Sequence, residues 1–457
     1  MNADTQRLSG RMQAVVENAP EVEWKEPPRW LPPTFHSLAY KNYLLLFIGQ
    51  ISNSLALWMD MVARPVLVVA LTGSAVQLGL ISLVRGAPMM FLGPFGGLVS
   101  DRFDRRIVML FSKSLSMAVN IIFAVIIVTG NLELWHIYAT AILRSLLMAF
   151  DGPARQALLP SLIPQKLLLN GIALNTGSMQ IVRILSASLA GFLIAIWAFV
   201  FNYGAEDARS FGGVYVITAL AYVMAVTVTY MIRVPMAGRV EQHQDTWLSG
   251  LVQGFKFAGK SPVILGLLVL FAVQSLFGMP YLQVFVPWLA LEVMDIGAEG
   301  TGILLAVSGI GSLAGALAIA SLGAKMRRRG MYIIGGLTVY GLALAGLGLT
   351  SVLPLTVILG LSIPVLPMFM IIIVGIGQTA MMTLRTAVLM EITPNELRGR
   401  VFSLMTLDRG FSTLGSGAGG FAIAAVGGPL ALASYGGFCA IGAVVVGILL
   451  PSLRKVD

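Results

Sequence analysis

Charge is what this sequence has least of. Of its 457 residues, 11% are Asp, Glu, Lys or Arg, where an ordinary soluble domain carries about 25%. Cysteine is nearly absent too: Cys439 stands alone, so no intramolecular disulfide can form and paired-cysteine zinc or haem motifs are excluded. The three histidines, His36, His136 and His243, lie far apart and offer no metal or haem site. No cofactor is therefore expected. Residues 1–40 are polar and proline-rich with no apolar core, so no cleavable signal peptide is expected and the first apolar span acts as the targeting signal.

What is present in excess is apolar sequence. Hydrophobic residues make up 57% of the chain, the mean hydropathy is +0.86, and the apolar residues fall in long runs. Runs above about 18 residues are read as membrane-spanning helices. Twelve spans are expected, at 42–70, 76–99, 107–129, 135–157, 170–200, 213–233, 263–291, 300–323, 331–352, 363–389, 400–427 and 430–451. Pro354, Pro364 and Pro367 blur the border between the ninth and the tenth. This pattern describes an all-α membrane protein and excludes a soluble enzyme or a secreted scaffold.

The net charge of +9 is explained by where the basic residues fall. Alternate inter-span segments, together with the span ends that adjoin them, hold 23 of the 30 Lys and Arg, and the opposite loops hold Arg209 alone. By the positive-inside rule both termini are expected in the cytoplasm. The basic excess is thus an orientation signal that attracts membrane lipids, and no nucleic acid is expected as a partner.

The longest interior polar stretch, 234–262, divides the chain. The expected organisation is a cytoplasmic tail over 1–40, a six-helix bundle over 41–233, a central cytoplasmic loop over 234–262, a second bundle over 263–452 and a short cytoplasmic tail over 453–457. Arg155 to Leu167 matches Arg385 to Leu397 at an offset of 230, with Arg, Ala, Leu, Pro and Leu coinciding. A basic turn recurs as well, at Arg102 to Arg106 and at Lys325 to Arg329. Parallel repeats of this kind are a recurring transporter architecture. Within the central loop, Gly254 to Ser261 fits the phosphate-binding loop pattern, but a membrane span follows instead of a helix at a soluble sheet edge. Trp247, Leu248, Leu251, Phe255 and Phe257, with Lys256 and Lys260, read instead as an amphipathic interfacial helix.

Gly97-Leu-Val-Ser-Asp101-Arg102-Phe-Asp104-Arg105-Arg106 lies between the second and third spans and resembles the signature of the major facilitator superfamily. Further likeness runs through Leu45 to Asn53, Trp58-Met59, Ala149 to Ala157, Pro164 to Asn175 and Pro394 to Arg400. These segments resemble the bacterial macrolide-efflux and enterobactin-export group. The resemblance implies two bundles of six helices and a charged latch built from Gly97, Asp101, Arg102, Arg105, Arg106, Arg155 and Arg400. In it Asp101 would cap the eleventh helix near Arg400 and pair with an Arg such as Arg155. Two departures stand out. Asp104 replaces the family's glycine, and Ser186-Ala187-Ser188 stands where many antiporters of the family carry Gly-Pro.

A charge near the bilayer centre costs about 2.5–3.5 kcal/mol on insertion scales, so each one invites a function. Lys113 is placed to snorkel towards the cytoplasm, and Asp151, in Asp-Gly-Pro, to cap or bend the chain. Asp60 and Arg64 are spaced to pair on one helix face, and Arg85 and Arg144 lie at depths from which they would join them. Arg183 is near mid-membrane, with Asp408 and Arg409 lower in the eleventh span. These charges fasten helices as internal ion pairs, or they line a cavity with excess positive charge. Asn53, Asn175, Gln180, Gln274 and Gln378 are candidate polar lining, and Trp58, Phe277 and Tyr281 candidate apolar lining. Asp60 is the first candidate for a proton-coupling carboxylate and Asp408 the second.

The sequence thus points to a secondary transporter in a bacterial inner membrane, exporting a small amphipathic molecule, with an anion as the candidate cargo and protons as a candidate coupling ion. The alternative is a non-transporting membrane subunit or assembly factor, bound to a partner, that keeps the fold. No nucleophile–base pair or metal cluster points to an enzyme.

Overall fold

A computed structural model describes residues 26–28, 30–204, 207–233, 256, 259, 261–322, 326–354, 356–358, 361–393 and 408–456. Side chains of 93–98, 100–102, 169, 320, 322, 356–358, 361–363, 390, 408 and 409 fall outside that set. The first half contains α1 (Lys41–Thr72), α2 (Ala75–Arg102), α3 (Arg105–Val128), α4 (Leu134–Leu158), α5 (Leu168–Phe201) and α6 (Gly212–Met231). The second contains α7 (Pro262–Val293), α8 (Gly297–Leu322), α9 (Arg329–Thr350), α10 (Val365–Ile392), α11 (Asp408–Val426) and α12 (Gly428–Leu449). Helices dominate because a span in hydrocarbon must satisfy every backbone N–H and C=O within itself. Ten of the twelve are long and apolar enough to cross a membrane by length and composition. The others are α4, which carries Arg144, Asp151 and Arg155, and α11, whose approach through 401–407 is outside the described residues. The proposed amphipathic helix of the central loop lies largely outside them as well, and Arg400 entirely so.

Helix pairing repeats with a shift of six. In the first half α1 packs on α5 and α6, α2 on α4, and α3 on α4 and α6; in the second α7 packs on α11 and α12, α8 on α10, and α9 on α10 and α12. This is the parallel pseudo-repeat in three dimensions. The border blurred by prolines in the sequence is a small antiparallel hairpin, Thr356–Ile358 with Leu361–Ile363, and Pro364 stands at the N-cap of α10.

The halves meet along two seams, α2 on α11 and α5 on α8. Both are made of residues small enough for backbones to touch. A methyl group added to Gly79 would lie 2.8 Å from the Cα of Gly420, and one added to Gly302 would lie 2.6 Å from the Ala187 carbonyl. Along α5 these close approaches involve Ile184, Ala187 and Gly191, whereas a methyl on Gly177, nearer the end that carries the chain termini, would touch nothing. The α5–α8 contact is therefore tight at the end of the molecule remote from the termini.

One helix is irregular. Within α7, π-helical turns at Gln274–Gly278 and Leu289–Val293 flank a 3-10 turn at Met279–Leu282 containing Pro280. Proline removes a backbone donor and π-turns redirect side chains. The break turns Gln274 and Tyr281 inward, where both are buried.

The N-terminal approach is docked rather than free. Pro33–Ala39 forms a 3-10 turn, Ser37 Oγ donates to Asn170 Oδ1 at 2.5 Å, and Asn170 Nδ2 donates to the Thr34 carbonyl at 2.9 Å. The tail expected over 1–40 is therefore anchored to the first bundle from Pro33 onwards.

Candidate functional site

Three groups of embedded charge emerge, and they differ in how each charge is compensated. The first lies inside the first bundle. Arg64 Nε donates to both Asp60 carboxylate oxygens at 3.0 and 3.2 Å, and Arg144 Nη1 approaches the same carboxylate at 2.9 Å. Tyr215 donates its hydroxyl to Asp60 at 3.2 Å. Arg64 also reaches the Ile137 carbonyl and Thr140, both at 2.9 Å, and Arg144 reaches the Tyr222 hydroxyl at 3.2 Å. Asp60 and Arg64 are each 2% exposed. Arg85 stands half-buried within electrostatic range of the Asp60 carboxylate. The cluster ties α1, α4 and α6 together with no open face. Tyr215 and Tyr222 were missed by sequence reasoning, although their separation of seven residues on an apolar span puts two hydroxyls on one helix face.

The second group lies near the termini end of the same bundle. Lys113 does not snorkel: it is 2% exposed, its Nζ is 3.8 Å from Asp151, and it donates to Thr229 Oγ1 at 3.2 Å. Nor does Asp151 cap a helix end, since α4 runs on through Gly152 and Pro153 to Leu158. A buried counter-ion removes the need for either charge to reach water. Around it, Arg105 donates to the Ala157 carbonyl at 2.7 Å and Arg106 to the Tyr230 carbonyl, each binding an orphan carbonyl near a helix C-terminus. Asp104 accounts for its own departure from the signature. Its carboxylate accepts from the backbone N–H of Arg106 and Ile107 at 2.8 and 3.1 Å and caps α3, with a φ of −60° that needs no glycine. Arg155 is packed nearby. Gly97, Asp101 and Arg102 lie on the last turns of α2, and Asp408 and Arg409 open α11; their side chains are outside the described set.

The third group is at the seam between the halves. A small cavity of about 20 Å³ is lined by Trp58 and Met61 of α1, Arg183 and Ala187 of α5, Leu282 of α7 and Ser308 of α8, among others. The guanidinium of Arg183 lies 5.5 Å from the centre of the Trp58 ring. Behind Ser308, Tyr281 shares a 2.8 Å hydrogen bond with its hydroxyl and donates to Gln378 Oε1 at 3.0 Å. Two buried donors at this cavity, Arg183 Nη2 and Trp58 Nε1, find no acceptor among the described residues. Buried polar groups are normally satisfied, so two orphans around one void call for a ligand or water. Ser308 was not foreseen; it sits in Val307-Ser308-Gly309, within a span that reads as featureless small residues.

Other candidates fall elsewhere. Gln274 accepts from Arg385 at 3.2 Å, and the Arg385 guanidinium lies 4.2 Å from the Phe271 ring centre. Phe277 packs against Tyr435 and Phe438 in the second bundle. Asn53, Asn175 and Gln180 are half-buried and are not among the residues lining this cavity.

Twelve helices in two related bundles, with a polar site at their seam, define a membrane transporter of the two-bundle class. The family profile of the Major Facilitator Superfamily matches residues 46–412, and the chain belongs to that family. It is similar to macrolide efflux protein A of Streptococcus pyogenes, 24% identical over 344 residues, covering 73% of this chain and 77% of the relative. It is also similar to the enterobactin exporter EntS of Escherichia coli O157:H7, 25% identical over 410 residues, covering 89% of this chain and 90% of the relative. Among solved structures, a POT family transporter in complex with 5-aminolevulinic acid shares the fold at a TM-score of 0.69 and 13% identity, over 90% of this chain and 96% of that one. A bacterial homologue of the lysosomal transporter Spinster, inward-facing and unoccupied, matches at 0.63 and 16% identity, over 93% and 96%.

Proposed function

We propose that this protein exports a small amphipathic anion across a bacterial inner membrane by alternating access, with both termini in the cytoplasm. The observation that carries the reading is the buried guanidinium of Arg183, turned to the cavity between the halves beside the orphan indole N–H of Trp58. An anion there would accept from both donors while its apolar part packs on Trp58, Met61 and Leu282. Support for export comes from the two efflux relatives, whose names specify macrolides and enterobactin.

A cavity of about 20 Å³ has room for roughly one water molecule. Cargo therefore enters only when the halves part. The tight α5–α8 contact at the end remote from the termini, and the free surface at Gly177, favour opening towards the termini. The group around Asp104, Arg105, Arg106, Asp151 and Arg155, with Gly97, Asp101, Arg102 and Arg400, would gate that side. In this reading Asp60 fastens the first bundle, because a proton on it would leave Arg64 and Arg144 facing each other without their shared anion. Asp408 then stands as the candidate for proton coupling.

The test is flux in proteoliposomes under an imposed proton gradient, with enterobactin and synthetic anionic amphiphiles as the first compounds. Gradient-dependent movement of one of them, or of a smaller anionic amphiphile, that Arg183→Gln abolishes without loss of folded protein is the expected result. Absence of flux across an anionic panel by well-folded wild-type protein would overturn it.

A further inference from the structure

The seam cavity takes its two orphan donors, Arg183 and Trp58, from the first bundle. From the second bundle it takes Leu282, Leu305 and one polar side chain, Ser308 of α8. Ser308 and its hydrogen-bond partner Tyr281 are both buried, so each of their hydroxyl protons must rest on a protein group or face the cavity. A hydroxyl has one proton to give and two lone pairs with which to accept. The direction of the bonds around Ser308 therefore decides what this wall presents to a ligand.

That direction is set from the far end of the chain of bonds. Gln378 of α10 holds its Nε2 3.2 Å from the Met279 sulfur and its Oε1 3.0 Å from the Tyr281 hydroxyl. A thioether only accepts, so the amide nitrogen belongs beside it. The reversed amide would set oxygen against sulfur with no proton between them. The Gln378 carbonyl oxygen thus faces Tyr281, and the tyrosine must donate to it. With that proton committed, Tyr281 can only accept in its 2.8 Å bond with Ser308. Ser308 donates to Tyr281, and its lone pairs are left for the cavity.

We propose that the cargo carries a hydrogen-bond donor close to its anionic group, a hydroxyl or N–H a few bonds from a carboxylate, and that this donor is read by Ser308. Tyr281 is the positioning residue that keeps Ser308 an acceptor. The proposal deepens the anion-export reading and rests on it. The first bundle offers donors and the second an acceptor, so a hydroxy acid answers both walls and bridges the halves. A plain acid satisfies Arg183 and Trp58 but leaves the Ser308 lone pairs against its apolar part. A methyl ether in place of the hydroxyl sets acceptor against acceptor.

Isothermal titration of the purified full-length protein with β-hydroxydecanoate and β-methoxydecanoate, two anions of one scaffold, decides it. Wild type is expected to bind the hydroxy acid roughly three- to tenfold tighter, the scale of one neutral hydrogen bond. Ser308→Ala, which removes a single oxygen, should equalise the two acids. Tyr281→Phe releases the serine proton towards the cavity, so the methoxy acid should match or overtake the hydroxy acid. A tyrosine that served packing alone would weaken both acids alike and keep their ratio. A preference that survives Ser308→Ala or Tyr281→Phe would overturn the proposal. Equal binding of both acids by wild type, lost in Arg183→Gln, would overturn the donor requirement and leave the anion reading standing. Failure of folded wild type to bind either acid would bring down both.

Discussion

Arg64 and Arg183 are both guanidinium groups carried into the interior of long apolar helices, yet their burial is compensated in different ways. Arg64 has a carboxylate four residues away, a second-helix carbonyl and a threonine hydroxyl, and its charge is shared with Arg144 around Asp60. Arg183 has an indole face and a tyrosine hydroxyl nearby and meets no carboxylate among the described residues. A bundle that moves as one body needs its charges closed on one another. A seam that opens and shuts can leave a cation waiting for one that comes and goes. In the proposed function the same amino acid is a fastener in one region and a binding group in the other.

The sharpest way to break this contrast is to remove the shared anion. Asp60→Leu leaves Arg64 and Arg144 buried without compensation and should cost about 3–5 kcal/mol, read as a large fall in thermal unfolding temperature in detergent or as loss of folded protein. Unchanged stability would show that the cluster fastens nothing. Arg183→Gln should do the reverse. It removes one unsatisfied charge, leaves melting near wild type, and weakens binding of an anionic ligand by about 1.5–3 kcal/mol, the scale of a charge-assisted hydrogen bond. Isothermal titration on both proteins checks it.

Smaller effects sharpen the comparison at the bundle ends. Asp104→Ala removes the cap of α3 and should cost about 1 kcal/mol, measured as a modest melting shift; Asp104→Asn, which keeps an accepting oxygen, should recover most of it. The smallest effect belongs to the loop remote from the termini. Hydrogen bonds from the Arg209 side chain, aided by the Arg209 backbone N–H, hold the Asp207 carboxyl below the usual carboxylate range. A depressed carboxyl stabilises the fold above its unfolded value near ~4 and loses that contribution as pH falls through its folded value. Since the pair is exposed and screened, acid melting of Asp207→Asn should differ only slightly from wild type, and only above that range.

Much of this was written in the sequence. Long apolar runs gave the twelve helices, the 230-residue offset between Arg155 and Arg385 anticipated the repeat, and the i, i+4 spacing of Asp60 and Arg64 anticipated their pairing. What sequence could not deliver was partner choice across helices. Lys113 read as a snorkelling lysine because Asp151 and Thr229, on two other spans, are invisible to a one-helix argument. The break in α7 was hidden because π-turns have no composition of their own; only Gly278 and Pro280 hinted at it. For Arg183, depth was legible but the lack of a counter-ion was not, since that is a property of all its neighbours at once.

The claim that cargo is anionic and held at the seam is tested most directly by ligand-induced thermal shift, using one amphipathic scaffold made in anionic and cationic forms. The account predicts that the anion stabilises wild type more than the cation does, and that Arg183→Gln abolishes the difference while Asp101→Asn does not. A preference for the cation in wild type, or an anion preference that survives Arg183→Gln, would contradict it.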